Sequence, residues 1–331
     1  MDFVSEMKAK ATSKRKRLVL PEGIDPRMVK AARNIMDEQL AVSVTLLGKV
    51  TDIQKIAEKE GVDLNGIDIL YPYGAPNLNK YADAFYELRK HKGMTEEQAR
   101  ADITDPLRWG AMMVRMDDAD AVVAGATHTT ADVLRAGLAI IGTSPGIKVV
   151  SSCFVMTGLD SEWGEDGTLI FSDCAVVPDP DPEQLADIAK GAAQSCREFL
   201  GVEPVVALLS FSTKGSAKND AVTKVQQAVQ ILKDRNENFL FDGELQADAA
   251  LVPLVTEQKA PNSPVKGKVN TLIFPDLGSG NIGYKLVQRL GKAEAYGPFL
   301  QGFAKPISDL SRGASVNDIV ITCTVTLSQA S

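Results

Sequence analysis

The sequence predicts an α/β fold built on a largely parallel sheet with helices on both faces. Three observations predict it. Short apolar runs alternate with amphipathic helical patterns along most of the chain. Several of the runs are apolar on both faces, as buried parallel strands are. One helix carries a complete set of start and stop signals. Its cap is Asp181, Pro182 suits the first turn, and Gln184 stands three residues after the cap. Leu185, Ile188, Ala189, Ala192, Phe199 and Leu200 then line one face, and Gly201 ends the helix.

The expected strands are Arg17–Leu20, Val42–Leu47, Ala119–Ala124, Lys148–Met156, Pro204–Ser210 and Asn270–Phe274. One stretch departs from the alternation. Ser151–Met156 and Thr168–Ser172 flank a segment containing the turn dipeptide Asp166-Gly167, which predicts an antiparallel pair and a new domain near residue 150. At roughly 150 residues per domain, 331 residues correspond to about two domains. No long linker, low-complexity tract or repeat separates them, so two closely packed domains with a ligand-binding cleft are expected.

Composition excludes several classes. Hydrophobic residues make up 44% and charged residues 24%, an ordinary globular balance. The net charge of −7 argues against a nucleic-acid binder. Lys8, Lys10, Lys14, Arg15, Lys16 and Arg17 read as a solvated basic face. The apolar run after them ends at Pro21, too soon for a signal peptide. No stretch approaches the ~18 apolar residues of a membrane span. A cytoplasmic protein without membrane contact is expected. The four cysteines (Cys153, Cys174, Cys196, Cys323) have no zinc-ligand spacing and read as reduced, buried thiols. With only two histidines, His91 and His128, no metal site is expected.

Five segments carry residues suited to chemistry. Gly278-Ser-Gly280-Asn-Ile-Gly283 matches G-x-G-x-x-G between a strand and a helix, but no acidic residue follows at dinucleotide spacing. Its glycines serve either a turn or the approach of backbone N–H groups to an anion. Ser210–Asp220, with Lys214, is a hydroxyl-rich loop after a strand, readable as a phosphate-lined loop or an ordinary connection. Gly125-Ala-Thr-His-Thr-Thr130 leads into a helix capped by Thr129 or Thr130. Arg135 lies in that helix's first turns, where a cation is unfavourable without an anion; a surface ion pair explains it equally well. Glu87–Gly93, with Arg89, suits a helix end or a polyanion. Finally, Asp309-Leu-Ser-Arg-Gly313 and Asp318 gather a hydroxyl, a guanidinium and carboxylates in one loop, ahead of an apolar strand or helix at Ile319–Leu327.

Six motifs occur together in order: Arg17–Gly23, the Thr-His-Thr-Thr-Ala-Asp run, Leu209–Lys218, Asp242-Gly-Glu-Leu-Gln246, Gly280-Asn-Ile-Gly-Tyr284 and Asp309–Gly313. On these the chain closely resembles the phosphate acetyltransferases of the phosphate acetyl/butaryl transferase family, over essentially its whole length. The resemblance implies two α/β/α domains arranged like the isocitrate and isopropylmalate dehydrogenases. The first would comprise residues 1–150 and 297–331 and carry the catalytic segment; the second would comprise 151–296. It implies a homodimer and a reversible reaction of acetyl phosphate with coenzyme A, giving acetyl-CoA and inorganic phosphate, with no tightly bound cofactor. It places the catalytic aspartate on Asp318, the serine–arginine pair on Ser311 and Arg312, and substrate or CoA binding on Arg89 and Arg135. The expected binding set also includes Thr129, Thr130, Lys214, Gly280 and Asn281. A phosphate butyryltransferase is the nearest alternative. A non-catalytic CoA- or acetyl-phosphate-sensing domain is disfavoured by the intact Ser311, Arg312 and Asp318, and a dehydrogenase by the missing dinucleotide acid.

Overall fold

The computed structural model describes residues 2–331. The chain divides into two units, Met1–Ser144 with Phe303–Ser331, and Pro145–Gly302. The first unit begins α1 (Phe3–Lys14), β1 (Arg17–Leu20), α2 (Pro26–Asp37), β2 (Ser43–Leu47), α3 (Val50–Glu60), β3 (Ile67–Leu70). It continues α4 (Leu78–Arg89), α5 (Glu96–Asp102), α6 (Pro106–Arg115), β4 (Ala121–Ala124) and α7 (Thr130–Ile140). The second unit runs β5 (Ser151–Thr157), β6 (Leu169–Ser172), α8 (Pro182–Leu200), β7 (Val205–Leu209), α9 (Asp220–Asp234), β8 (Leu240–Leu245). It ends α10 (Ala247–Leu251), α11 (Pro253–Lys259), β9 (Thr271–Ile273), α12 (Leu277–Leu290) and β10 (Glu294–Gln301). The chain then returns to the first unit with β11 (Ile307–Asp309) and α13 (Val316–Gln329).

The first sheet has strand order β11-β4-β1-β2-β3, and every pairing in it is parallel. Alternation along β1 shows why helices cover both faces. Leu18 and Leu20 join a core with Met28, Val29 and Ile35 of α2 and Ile319 and Val320 of α13. Val19, between them, points into the opposite core with Tyr81, Phe85, Trp109 and Val133 from α4, α6 and α7. A strand buried on both sides needs apolar residues at every position, which is why it reads as an unbroken apolar run.

The second sheet has order β10-β5-β6-β9-β7-β8. β5 pairs antiparallel with β6 and with β10, while β6–β9, β9–β7 and β7–β8 are parallel. The expected antiparallel pair is therefore present, and Asp166 and Gly167 turn with φ of 48° and 80°. Helix α8 has the reciprocal capping box of Asp181 and Gln184, and Gly201 closes it in the left-handed conformation at φ 68°. The segment Ile319–Leu327, readable either way from sequence, lies within helix α13; Ser315 caps it in a second reciprocal box with Asp318.

Four strands have no counterpart among the expected ones. β8 hides behind two buried acids, Asp242 and Glu244, and β10 contains Gly297-Pro298 with a register shift between Tyr296 and Phe299. β3 is interrupted by Asp68 and β11 carries Ser308 and Asp309, so neither presents an unbroken apolar run.

Candidate active site

In the first sheet the chain runs from β1 outward to β2 and β3, then returns to β4 on the other side of β1. Connections thus diverge between β1 and β4, and in α/β sheets the crevice at the carboxyl ends of such strands is where ligands bind. Three segments meet there: Pro21–Asp25 after β1, Gly125–Thr129 after β4, and Leu310–Asp318 after β11.

Glu22 organises the first two. It is only 2% exposed. Its Oε2 accepts from the backbone N–H groups of Gly125 (2.9 Å) and Ala126 (2.8 Å). Its Oε1 accepts from the N–H groups of Thr127 (2.9 Å) and His128 (2.8 Å) and from the Thr127 hydroxyl (2.9 Å). The same oxygen lies 2.7 Å from His128 Nδ1. Burial alone would push this carboxyl up; the hydrogen bonds from His128 and Thr127 outweigh it and hold it at about 2. The ring of His128 is in turn raised above its ordinary value, chiefly by its bond to Glu22. The loop that reads from sequence as the lead-in to a capped helix therefore wraps an internal anion.

The third segment begins at Asp309, 5% exposed. Its Oδ2 accepts the hydroxyl of Thr130 at 2.5 Å, and its Oδ1 is buried with no hydrogen-bond partner among the described residues. Burial, helped by the nearby charge of Glu22, pushes the Asp309 carboxyl up to about 6. The chain then emerges. Ser311, Arg312 and Asp318 are all exposed, and the Ser311 hydroxyl accepts from Gly313 N–H at 3.2 Å. Asp318 Oδ2 accepts from Ser315 N–H (2.9 Å) and from its hydroxyl (2.8 Å). Among the described residues Asp318 Oδ1 has no hydrogen-bond partner, so one oxygen caps the helix while the other is unpaired.

Beside this loop cluster lies a cavity of about 340 Å³, lined by Arg89, Arg108, His128 and Arg135 among others. Arg135 is paired with Asp132 Oδ1 at 2.7 Å, its side chain 74% exposed. Arg89 ends α4. Arg108 sits in the first turn of α6, whose cap Asp105 accepts its backbone N–H at 3.0 Å. Among the described residues no carboxylate pairs with Arg89, Arg108 or Arg312. A guanidinium in a helix's first turn with no carboxylate partner is an unfavourable arrangement that a bound anion relieves.

The remaining expected residues are otherwise engaged. Thr129 caps α7, exchanging hydrogen bonds with Asp132. Lys214, Gly280 and Asn281 stand in the second unit. Lys214 Nζ is held by Asp242 Oδ1 (2.5 Å) and the Gly243 carbonyl (2.7 Å). Its loop wraps around buried Glu244, which accepts from Ser212 Oγ (2.9 Å) and Gly215 N–H (2.7 Å). Gly280 packs on the Asp173 carbonyl, where a Cβ would lie 2.3 Å away. Asn281 Nδ2 donates to the Cys174 carbonyl at 3.1 Å. Sequence reasoning missed Glu22 and Arg108. The signals were there: an acid directly after a buried parallel strand, and a cation just after an Asp-Pro helix start.

The fold and this arginine-lined cavity define an α/β enzyme of the kind that handles anionic substrates. The comparisons with known proteins narrow the class. The family model for phosphate acetyl/butaryl transferase matches residues 2–327. A phosphate acetyltransferase of Treponema pallidum (strain Nichols) is 56% identical, covering 100% of this chain and 99% of its own length. A phosphotransacetylase structure from Streptococcus pyogenes superposes with a TM-score of 0.92 at 41% identity, over 99% of this chain and 97% of that one. A 4-hydroxythreonine-4-phosphate dehydrogenase structure from Salmonella typhimurium, 12% identical over 96% of this chain and 99% of that one, shares the fold alone, with a TM-score of 0.56. The chain belongs to the phosphate acetyl/butaryl transferase family.

Proposed function

We propose that this chain catalyses reversible acetyl transfer between acetyl phosphate and coenzyme A, by direct attack of the CoA sulfur within a ternary complex. The observation that carries the reading is the pair of guanidinium groups, Arg89 and Arg108, that line one cavity without carboxylate partners among the described residues, beside the loop that carries Arg312. Acetyl phosphate and CoA are both polyanions, and a guanidinium fork matches phosphoryl oxygens.

The chemistry follows from the groups present. A free thiol ionises near pH ~8.5, so most CoA sulfur is protonated at neutral pH. Asp318 Oδ1 is the open carboxylate oxygen that takes this proton as sulfur attacks. The new C–S bond forms, the carbonyl oxygen gains negative charge, and the C–O bond to phosphate then breaks. Arg312 and the Ser311 hydroxyl stabilise that charge; one such donor is commonly worth about 10²–10³ in turnover. Acetyl phosphate is already an activated anhydride, so no protein nucleophile is required. The buried thiols are unsuited to that role: burial pushes Cys196 up to about 11 and Cys153 to about 12.

Inorganic phosphate, acetyl phosphate and CoA are thus the proposed partners, with CoA as substrate. Among the described residues no helix is long and apolar enough to cross a membrane; the cytoplasm is the proposed setting, since both substrates are polar metabolites. A homodimer is proposed as well. Ile282, Leu286 and Leu290 stand 60%, 52% and 79% exposed along one stripe of α12, apolar surface that suits a protein partner.

A thioester-absorbance assay with CoA and either acetyl or butyryl phosphate tests the activity and its acyl preference. Absence of thioester formation with both acyl phosphates overturns it. Phosphate exchange into acetyl phosphate without CoA, through an isolable acetyl-enzyme, overturns direct transfer.

A further inference from the structure

The Glu22–His128 contact carries an inference of its own. Glu22 satisfies four consecutive backbone N–H groups, Gly125 to His128, and also meets the side chains of Thr127 and His128. Orienting the backbone loop needs no imidazole. Yet the ring is turned so that Nδ1 meets Oε1 at 2.7 Å. The carboxylate accepts from Nδ1–H, and a carboxylate partner on one ring nitrogen sets the role of the other. Among the described residues Nε2 has no hydrogen-bond partner, the side chain remains 32% exposed, and His128 lines the cavity with Arg89, Arg108 and Arg135.

We infer that Glu22 is a positioning residue and His128 a substrate-binding residue: Glu22 locks Nδ1 of His128 so that Nε2 meets a phosphoryl oxygen in the cavity alongside Arg89 and Arg108. The inference rests on the phosphoryl substrates of the proposed function. The charges around the ring agree with it. Glu22, Asp105 and Asp132 favour its protonated form, in which Nε2–H donates. The cavity carries the guanidinium groups of Arg89, Arg108 and Arg135 beside the carboxylates of Asp102, Asp105 and Asp132; Arg135 is paired with Asp132, which leaves Arg89, Arg108 and His128 to meet a phosphoryl group. Arg27, which donates to the Ala126 carbonyl at 2.9 Å, braces the loop from outside.

The chain has only two histidines, so the test is spectroscopically simple. In ¹⁵N-histidine-labelled protein, a His91→Gln variant assigns His128. Titration with inorganic phosphate is expected to shift Nε2 of His128 and leave His91 unmoved. Glu22→Gln is expected to change the Nδ1 signal and weaken the phosphate response. His128→Asn keeps a donor near the Nδ1 position but nothing at Nε2. It is expected to raise one Michaelis constant roughly ten- to a hundredfold, the scale of one charge-assisted hydrogen bond, with little change in kcat. An increase for acetyl phosphate places the transferred phosphoryl group at Nε2, and an increase for CoA places a CoA phosphate there. Adding Glu22→Gln to His128→Asn should raise that constant no further. A phosphate titration that leaves His128 unmoved, or a His128→Asn enzyme with both Michaelis constants unchanged, overturns the inference while leaving the acetyl-transfer reading intact. Failure of the wild type to form acetyl-CoA would remove that reading, and the phosphate titration would still decide the role of His128.

Discussion

Thr130 donates its hydroxyl to Asp309 Oδ2 at 2.5 Å, tying the first residue of α7 to the last residue of β11. The two lie 179 residues apart in sequence. Through this bond the helix bearing Arg135 and the loop bearing Ser311 and Arg312 share one anchor.

Asp309 should make stability depend on pH in an unusual direction. Its carboxyl ionises at about 6 when folded, against an ordinary value of 3.8. The folded state therefore holds the proton more tightly than the unfolded chain does. The stabilising contribution is complete below pH ~3.8 and is lost as pH rises through about 6. Asp309→Asn stays neutral throughout. Its stability relative to wild type should rise between pH 4 and 7, by an amount on the order of 2–3 kcal/mol. Urea unfolding at both pH values reads this directly, and an unchanged difference would assign Asp309 an ordinary carboxyl.

Gly125 should tolerate no side chain. Its φ is +110°, and an added Cβ would lie 2.4 Å from Asp309 Oδ1 and 2.6 Å from Leu310 N. Backbone strain and collision with buried groups act together, so Gly125→Ala is expected to cost about 3 kcal/mol or more. Thermal unfolding checks it; a loss under about 1 kcal/mol would mean the β4 and β11 ends are free to move apart.

Asp318 and Ser315 share a capping box and should nevertheless separate in kinetics. Asp318→Asn keeps a hydrogen-bonding group at the cap but removes the proposed base. Turnover is expected to fall about 10²–10⁴-fold with CoA binding retained. Ser315→Ala removes the capping hydroxyl, costs about 1 kcal/mol of stability, and should leave most turnover. Equal turnover losses in the two variants would reduce Asp318 to a helix cap.

Arg89 and Arg108 should act on binding. Either residue changed to Ala is expected to raise the CoA Michaelis constant roughly ten- to a hundredfold, with a smaller effect at high salt, where screening already weakens the contact. Steady-state kinetics at two ionic strengths decide. Loss of turnover with CoA affinity intact would move the residue from binding to catalysis.

Much of the frame is legible in the sequence itself. Arg17–Leu20 matches β1 to the residue, and Asp181, Gln184 and Gly201 mark the ends of α8. Short-range rules suffice there, since each signal lies within a few residues of what it terminates. β8 and β11 were not legible. Asp242 and Glu244 are buried acids whose partners, Lys214, Ser212 and Ser263, come from other parts of the chain. β11 is held by pairing with β4, not by its own three residues.

By itself the sequence determined the parallel α/β class, the capped helices, and the order of motifs that places Ser311, Arg312 and Asp318 in one segment. Tertiary structure alone decided what the loops hold. Gly125–His128 read as the lead-in to a capped helix and Ser212–Gly215 as either a phosphate-lined loop or an ordinary connection, and each closes on an internal carboxylate, Glu22 or Glu244. The reason is physical. A backbone N–H accepts any properly placed anion as partner. Which one it receives depends on a side chain brought across by strand pairing, about a hundred residues away in the case of Glu22. Among the described residues Arg89, Arg108 and Arg312 have no carboxylate partner, and the first two line the cavity of the first unit.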